Sequence, residues 1–188
     1  MPIPFITSLQ NPRVKLAAKL RDSGERKQQG RILIDGMREI SRALEAGVQF
    51  TELFVCEPLL EKKPEAGDLL ERLLADPSVA HVPVAQSVME KLAFGQRAEG
   101  ILAVARPPQW TLANLKPARG KTPLYVVVEG VEKPGNLGAI LRTAEAAGVS
   151  GVIVGDGGTG LFTPKAVRAR WGGIFTLPVC ADSRRGAR

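Results

Sequence analysis

Arg142 stands in unusual company. The residues around it, Ile140, Leu141, Thr143 and Ala144, are apolar or small. Asn136 lies six residues before it and Glu129 seven before that. A guanidinium fixed in a water-poor site stabilises a developing anion or anchors a phosphate. It is a poor general base, because it holds its proton at any ordinary pH. An asparagine carries both a donor and an acceptor and can orient a polar ligand. A carboxylate at Glu129 can fix a loop by accepting backbone amides. The residues alone leave a blander set of roles open. Arg142 is then a solvated helix charge, or the partner of a nearby Glu, and Asn136 is a plain helix cap.

The surrounding pattern places these three residues. Residues 124–128, Leu-Tyr-Val-Val-Val, read as a buried strand rich in β-branched side chains. Glu129 and Gly130 close it. A loop over 131–135 is marked by Pro134 and Gly135. A helix follows, with Leu137, Ile140, Leu141 and Ala144 on one face. Asn136 occupies the expected N-cap, and Gly148 the position just past the last turn. Asn136 and the loop amides therefore lie beyond the carboxyl end of a strand and at the positive end of a helix. Open α/β sheets place ligands there. Helical side chains lean towards the N-terminus, so Arg142 can reach the same mouth.

The run Asn136-Leu-Gly138-Ala-Ile-Leu-Arg142-Thr143-Ala144 resembles the first signature motif of the SpoU/TrmH family, and Glu129-Gly-Val-Glu-Lys-Pro-Gly135 resembles its strand-to-helix loop. A second segment, Thr163-Pro-Lys-Ala-Val-Arg168-Ala-Arg-Trp-Gly172-Gly-Ile-Phe175, is similar to the family's next one. The N-terminal region, from Ile6-Thr-Ser-Leu-Gln-Asn-Pro12 through Asp35-Gly36 to Gly100-Ile101, looks like the substrate-binding domain that many members carry first. One short motif would be weak, whereas three in the family's order are specific.

The resemblance implies an RNA ribose 2′-O-methyltransferase that uses S-adenosyl-L-methionine. Its substrate would be a structured RNA, ribosomal or transfer. It implies that Arg142 sits at the reacting hydroxyl, that Asn136 orients the ribose or holds the loop, and that Glu129 fixes the loop. Full-length relatives would be homodimers. Relatives continue beyond the point where this sequence ends, in segments that form a knot and much of the donor pocket. The expectation is therefore a chain shortened at its C-terminus, with the knot segment absent and little donor binding. The readings that compete are a methyltransferase, an RNA-binding remnant that no longer methylates, and an unrelated nucleotide-binding α/β protein.

Charge is consistent with an RNA partner. Residues 1–50 carry 9 Lys/Arg against 5 Asp/Glu, residues 51–120 carry 8 against 9, and residues 121–188 carry 9 against 5. Both ends are thus basic and the middle is neutral, which suits a polyanion touching two domains. Arg13, Lys15, Lys19, Arg26, Lys27 and Arg31 cluster early and are the candidate phosphate contacts. An ordinary charged helix face reads the same way. Aromatics make up only 5%, which argues against a stacking platform for single strands.

Cys56 and Cys180 form no metal or redox pattern and read as small buried residues in a reducing cytosol. No metal site is expected. His81 has no cluster to join. Neither a leader-like N-terminus nor a membrane-length apolar run is present, so the sequence reads as cytoplasmic with no membrane partner.

The fold expected is α/β in two parts. Residues 1–106 would form a small RNA-binding α/β sandwich, 107–122 a proline-marked linker, and 123–188 the front part of a parallel-sheet, knotted-type methyltransferase domain. In the first part, helices are expected at 11–21, 36–46, 68–74 and 88–94, and strands at 30–34, 50–56 and 101–105. The second part would have strands at 124–128, 152–154 and 174–179. Gly155-Asp-Gly157-Gly-Thr-Gly160 satisfies a dinucleotide fingerprint, but four residues separate its last glycine from the next helix and it falls on the unit's second strand. It reads instead as a loop at the same sheet edge as Asn136, with Gly155 a possible donor-loop contact.

Overall fold

The structure is a computed structural model. It describes residues 3–61, 63–94, 98–117, 122–131, 133–155, 161–169 and 173–181. Two compact units divide the chain, Met1–Pro107 and Pro108–Arg188.

In chain order the first unit has α1 (Pro12–Lys19), α2 (Ser23–Gln29), β1 (Ile32–Asp35), α3 (Met37–Glu45), β2 (Phe50–Val55), α4 (Glu57–Leu60), α5 (Glu65–Leu74), β3 (Ala80–Pro83), α6 (Gln86–Leu92) and β4 (Ile101–Ala105). The sheet order is β1-β4-β2-β3. β4 runs antiparallel to both of its neighbours, and β2 pairs in parallel with β3. Every residue of β1 and β4 is buried, so helices must cover both faces of the sheet. On one face Val14, Ala17 and Leu20 from α1 and its end meet Val88, Met89 and Leu92 from α6, over Leu33, Phe54, Leu102 and Val104. The other face receives α3, which buries Ile40 and Ala43 and packs on β1 and β4.

Local chemistry sets the helix ends. The Asn11 side chain accepts from the Arg13 amide, and Pro12 takes the first helical position, where it loses no hydrogen bond. Asp22 accepts from the Gly24 and Glu25 amides and starts α2, which ends at the left-handed Gly30. α2 lacks the apolar period that would reveal it, since its sequence is SGERKQQ. β3 is equally hidden, because it is a short outer strand ending in a proline.

The second unit has a short 3-10 turn (Leu112–Asn114), β5 (Tyr125–Val128), α7 (Pro134–Ala146), β6 (Gly151–Val154), α8 (Pro164–Ala169) and β7 (Val179–Ala181). Its three described strands are all parallel, in the order β5-β6-β7. α7 buries Leu137, Leu141 and Ala144. It ends in a Schellman pattern in which Gly148, at φ +67°, donates to Glu145, and Val149 donates to Ala144. The Thr163 side chain accepts from the Ala166 amide ahead of Pro164, and so caps α8.

Two expectations are corrected here. Residues 173–177 form turns rather than a strand, and the strand begins only at Val179. Gly173, Ile174 and Phe175 are all buried in this turn. Phe175 stacks on Phe162 at 6.2 Å between ring centroids. The amides of Thr176 and Leu177 both donate to the Gly173 carbonyl. The proline-marked stretch is also more than a tether. Leu115 is buried against Gly151, where an added Cβ would lie 2.9 Å from Leu115 Cδ2. The Tyr125 hydroxyl donates to the Leu115 carbonyl at 3.0 Å.

Cys56 and Cys180 are both free and buried, and burial pushes the Cys56 thiol up, away from thiolate reactivity. No helix among the described residues is long and apolar enough to cross a membrane. Within the first unit, Gly100 is a tightly packed glycine at positive φ. Its φ is +88°, its carbonyl accepts from the Cys56 amide, and an added Cβ would meet Leu59 Cβ at 2.8 Å. Gly100→Ala should therefore cost about 3 kcal/mol, combining left-handed strain with overpacking. A thermal melt matching that of the parent protein would show that α4 yields freely.

Candidate functional site

Parallel pairing puts the carboxyl ends of β5 and β6 side by side. Val128 pairs with Val154, and the Gly155 amide donates to the Val128 carbonyl at 2.8 Å. Glu129 and Gly155 thus meet at one edge. A Cβ on Gly155 would lie 3.7 Å from Glu129 Cγ, ordinary packing distance. Gly130 turns the chain at φ +68°, a conformation that favours glycine, and directs it into the loop before α7. The Glu129 side chain is exposed at this mouth.

α7 starts earlier than its sequence pattern suggests. Lys133 is the N-cap residue, Pro134 holds the first helical position, and Asn136 is the third residue of the helix. The expected asparagine cap is therefore corrected. Proline is well suited to open a helix, so the start moves upstream to Pro134. The Asn136 amide donates to the Lys133 carbonyl at 3.0 Å, and its side chain is exposed rather than capping.

Arg142 is exposed on the same helix. Six residues separate it from Asn136, which is roughly 9 Å along the axis and 120° around it. The two side chains thus do not stack on one another. The residues beneath Arg142, one and two turns towards the N-terminus, are Gly138 and Gly135. Gly138 is buried and Gly135 is exposed. An added Cβ at Gly135 would meet nothing within 4 Å. Of the glycine run beyond β6, Gly155 is described and residues 156–160 lie outside the described residues.

Sequence reasoning passed over Glu145. Its carboxylate lies against Gly173, and Oε1 accepts from the Thr176 hydroxyl at 2.8 Å. It pins the turn after α8 to the last turn of α7. A Cβ on Gly173 would collide with this carboxylate, so the small residue there leaves it room. The nearby Thr163-Pro164 pair was a readable signal for the helix cap, but nothing local marked Glu145.

The six early basic residues divide by environment. Lys15 and Lys27 are exposed. Lys19 pairs with Glu25 at 3.1 Å. Arg13 and Arg31 both approach Glu52 Oε1, at 3.2 and 3.5 Å. Arg26 differs from all of these. It is 8% exposed and donates to the carbonyls of Leu20 and Arg21 at 3.0 and 2.8 Å. Burial lowers its pKa, yet guanidinium remains charged. It closes the end of α1 instead of facing solvent, as a phosphate contact would have to. Arg21, which was not a candidate, behaves likewise. It donates to the carbonyls of Lys91, Leu92 and Ala93 and lies over the Phe94 ring, 4.8 Å from its centroid.

Comparison with known proteins matches this arrangement in chain order. Residues 11–103 match the MRM3-like substrate binding domain. Residues 123–184 match the SpoU rRNA methylase family. The chain belongs to the SpoU/TrmH family. This SpoU chain is 35% identical to an uncharacterized tRNA/rRNA methyltransferase of Synechocystis, over 94% of its own length and 61% of that protein's. It is 39% identical to a solved RNA 2′-O ribose methyltransferase, with a TM-score of 0.78, covering 96% of this chain and 66% of that one. An rRNA methyltransferase of Sinorhizobium meliloti solved with AdoMet bound is 26% identical, with a TM-score of 0.78, covering 95% and 64%. The SpoU chain thus spans about six-tenths of the curated relative's length.

Two substitutions separate structural from functional roles. Arg26→Ala in the SpoU chain should cost about 2–4 kcal/mol, because two buried carbonyls lose their donor. Lys27→Ala next to it should change stability by less than about 0.5 kcal/mol. Equal melting temperatures for the two variants would remove Arg26 from the core. Asn136→Ala should also melt within about 0.5 kcal/mol of the parent, because a cap is not being removed. A loss of about 1 kcal/mol or more would restore the capping role.

Proposed function

We propose that this chain belongs to an S-adenosylmethionine-dependent RNA ribose 2′-O-methyltransferase acting on a structured ribosomal or transfer RNA. The observation that carries the reading is the strand–loop–helix at 125–146. It carries Glu129, Asn136 and Arg142 inside the segment that matches the SpoU methylases, with Glu129 and the start of the helix at the sheet edge. A substrate-binding match lies ahead of it in the family's order. The activities named for the relatives are consistent with this reading.

A ribose 2′-hydroxyl is a weak nucleophile until its proton is lost or shared. Attack on a methyl group must be in line, so holding the ribose contributes much of the rate. As the proton leaves, negative charge develops on the oxygen. Arg142 supplies a fixed positive charge for it, and its planar fork also suits the adjacent phosphate. Its role as proton acceptor is secondary, given how tightly guanidinium holds its proton. Asn136 orients the ribose with one donor and one acceptor. Glu129 steadies the loop that carries both.

The residues described at this edge fit the acceptor's side of the reaction. Glu129, Asn136 and Arg142 are polar and exposed, as groups that meet a ribose and its phosphate should be. S-adenosylmethionine would supply an electrophilic methyl group. Gly155, whose amide continues the strand pairing at this edge, is the candidate donor-loop contact. The first unit would select the RNA by shape and phosphate contacts.

The test is transfer of a labelled methyl group from S-adenosylmethionine to ribosomal or transfer RNA. In a longer form that methylates, Arg142→Ala should lower turnover by a factor of about 100 or more, with little change in stability. Arg142→Lys should recover little, because the planar fork is lost. Unchanged turnover in the alanine variant would return Arg142 to a solvated charge.

A further inference from the structure

We propose that Arg13, Glu52 and Arg31 form a preorganised phosphate anchor for RNA at one end of the first unit's sheet. The inference rests on RNA being the substrate, and it names a site that this reading does not supply. Arg13 enters from the first turn of α1, and Arg31 immediately precedes β1. Both guanidiniums converge on a single carboxylate oxygen, Glu52 Oε1, at 3.2 and 3.5 Å. The Arg13 contact is also a hydrogen bond. Arg31 is held from a second side by donating to Gln29 Oε1 at 2.9 Å.

Two positive charges facing one negative charge leave a surplus of one. The side chains of Arg13 and Arg31 are 43% and 26% exposed, and that of Glu52 is 16% exposed. The carboxylate is therefore the most covered of the three, and Arg13 is the most exposed. Each guanidinium has five donors, and the carboxylate occupies few of them. The remaining donors suit a second anion, and phosphate oxygens take such forks well. Glu52 serves two purposes in this arrangement. It keeps two long side chains from spreading, which spares ordering entropy on binding. It also competes with the phosphate, which keeps the site from holding any anion too tightly.

The position supports a nucleic-acid surface. Ile32 and Phe50 both pair with Ala105, so β1 and β2 begin where β4 ends. At that end a cavity of about 330 Å³ is lined by Gln49, Phe50, Thr51, Asp76, Ser78 and Arg106. Arg106 stands there with Asp76 and adds no net charge. The surplus belongs to the Glu52 pair.

A structural tie and a phosphate anchor differ in sign at Glu52. If the cluster only fastens α1 to the sheet, Glu52→Gln weakens the fold and does not tighten RNA binding. If it is an anchor, Glu52→Gln frees both arginines from a competing charge and tightens RNA binding by about fivefold. The measurement is fluorescence anisotropy of a labelled RNA stem-loop with the 188-residue chain, without methyl donor, over a series of salt concentrations. Heparin serves as the polyanion that is not RNA. Arg13→Ala and Arg31→Ala should each reduce the salt slope by about one and weaken binding, while Arg13→Lys keeps the slope. Circular dichroism confirms that each variant is folded.

Parent protein that fails to bind the stem-loop would sink the RNA-substrate reading itself. Parent binding with unchanged slopes in both alanine variants would overturn the anchor alone. Weaker binding by Glu52→Gln would also overturn it, in favour of the structural tie. Equal loss of heparin binding in the alanine variants would replace the RNA site with a general anion surface.

Discussion

Parallel strand pairing is the constraint on which the candidate site depends. A parallel neighbour cannot be reached by a tight turn, so the chain must cross over between β5 and β6. α7 makes that crossing, and it needs an apolar stripe to lie on the sheet. Leu137, Leu141 and Ala144 supply it. The carboxyl ends of both strands then share one edge, and the start of α7 must open there. Glu129, Asn136 and Gly155 come to that edge through topology. None of them contributes much to the fold through its own side chain.

Arginine has two different jobs in the first unit, and only the structure separates them. Arg21 and Arg26 satisfy backbone carbonyls left over at helix ends. Arg13 and Arg31 share a carboxylate and stay partly exposed. All four lie within nineteen consecutive residues, 13–31. A count of basic residues treats them alike, and the difference lies in the acceptors that each one meets. Arg26 is buried and Arg21 is exposed, yet both direct their donors at backbone carbonyls.

Much of the second unit was legible because its elements carry strong local signals. The β-branched run of β5, the apolar face of α7 and the glycine at 148 each mark their own boundary, although β5 is largely exposed where a buried strand was expected. The cap at Asn11 and Pro12 was readable for the same reason. Signals failed where tertiary contacts decide. The run 174–179 looks apolar enough for a strand, but Phe162 and Glu145 hold its first half as a turn. α2 is polar throughout, so no period could show it, and only Asp22 and Gly30 hinted at its ends. Asn136 was misplaced because two residues compete to start one helix, and the proline upstream wins. The pair on Glu52 joins residues 39 positions apart, a separation that no local pattern spans.

The N-terminal segment of the first unit is held by chain made much later. Ile6 bridges to Val84, with its amide donating to Pro83 and its carbonyl accepting from Ala85. Arg21 closes the end of α6 across about seventy residues. β1 has its only described ladder partner in β4. During synthesis, residues 3–35 therefore leave the ribosome before α6 and β4, on which they rest, have been made. They must wait, unfolded or loosely helical, until residue 105 has emerged. Non-local closure of this kind is slow and leaves apolar surface uncovered in the interval. The first unit thus has no stable half. Folding on the ribosome would arrive as one late step, and a pause in translation before β4 would hold the nascent chain in the state that chaperones recognise.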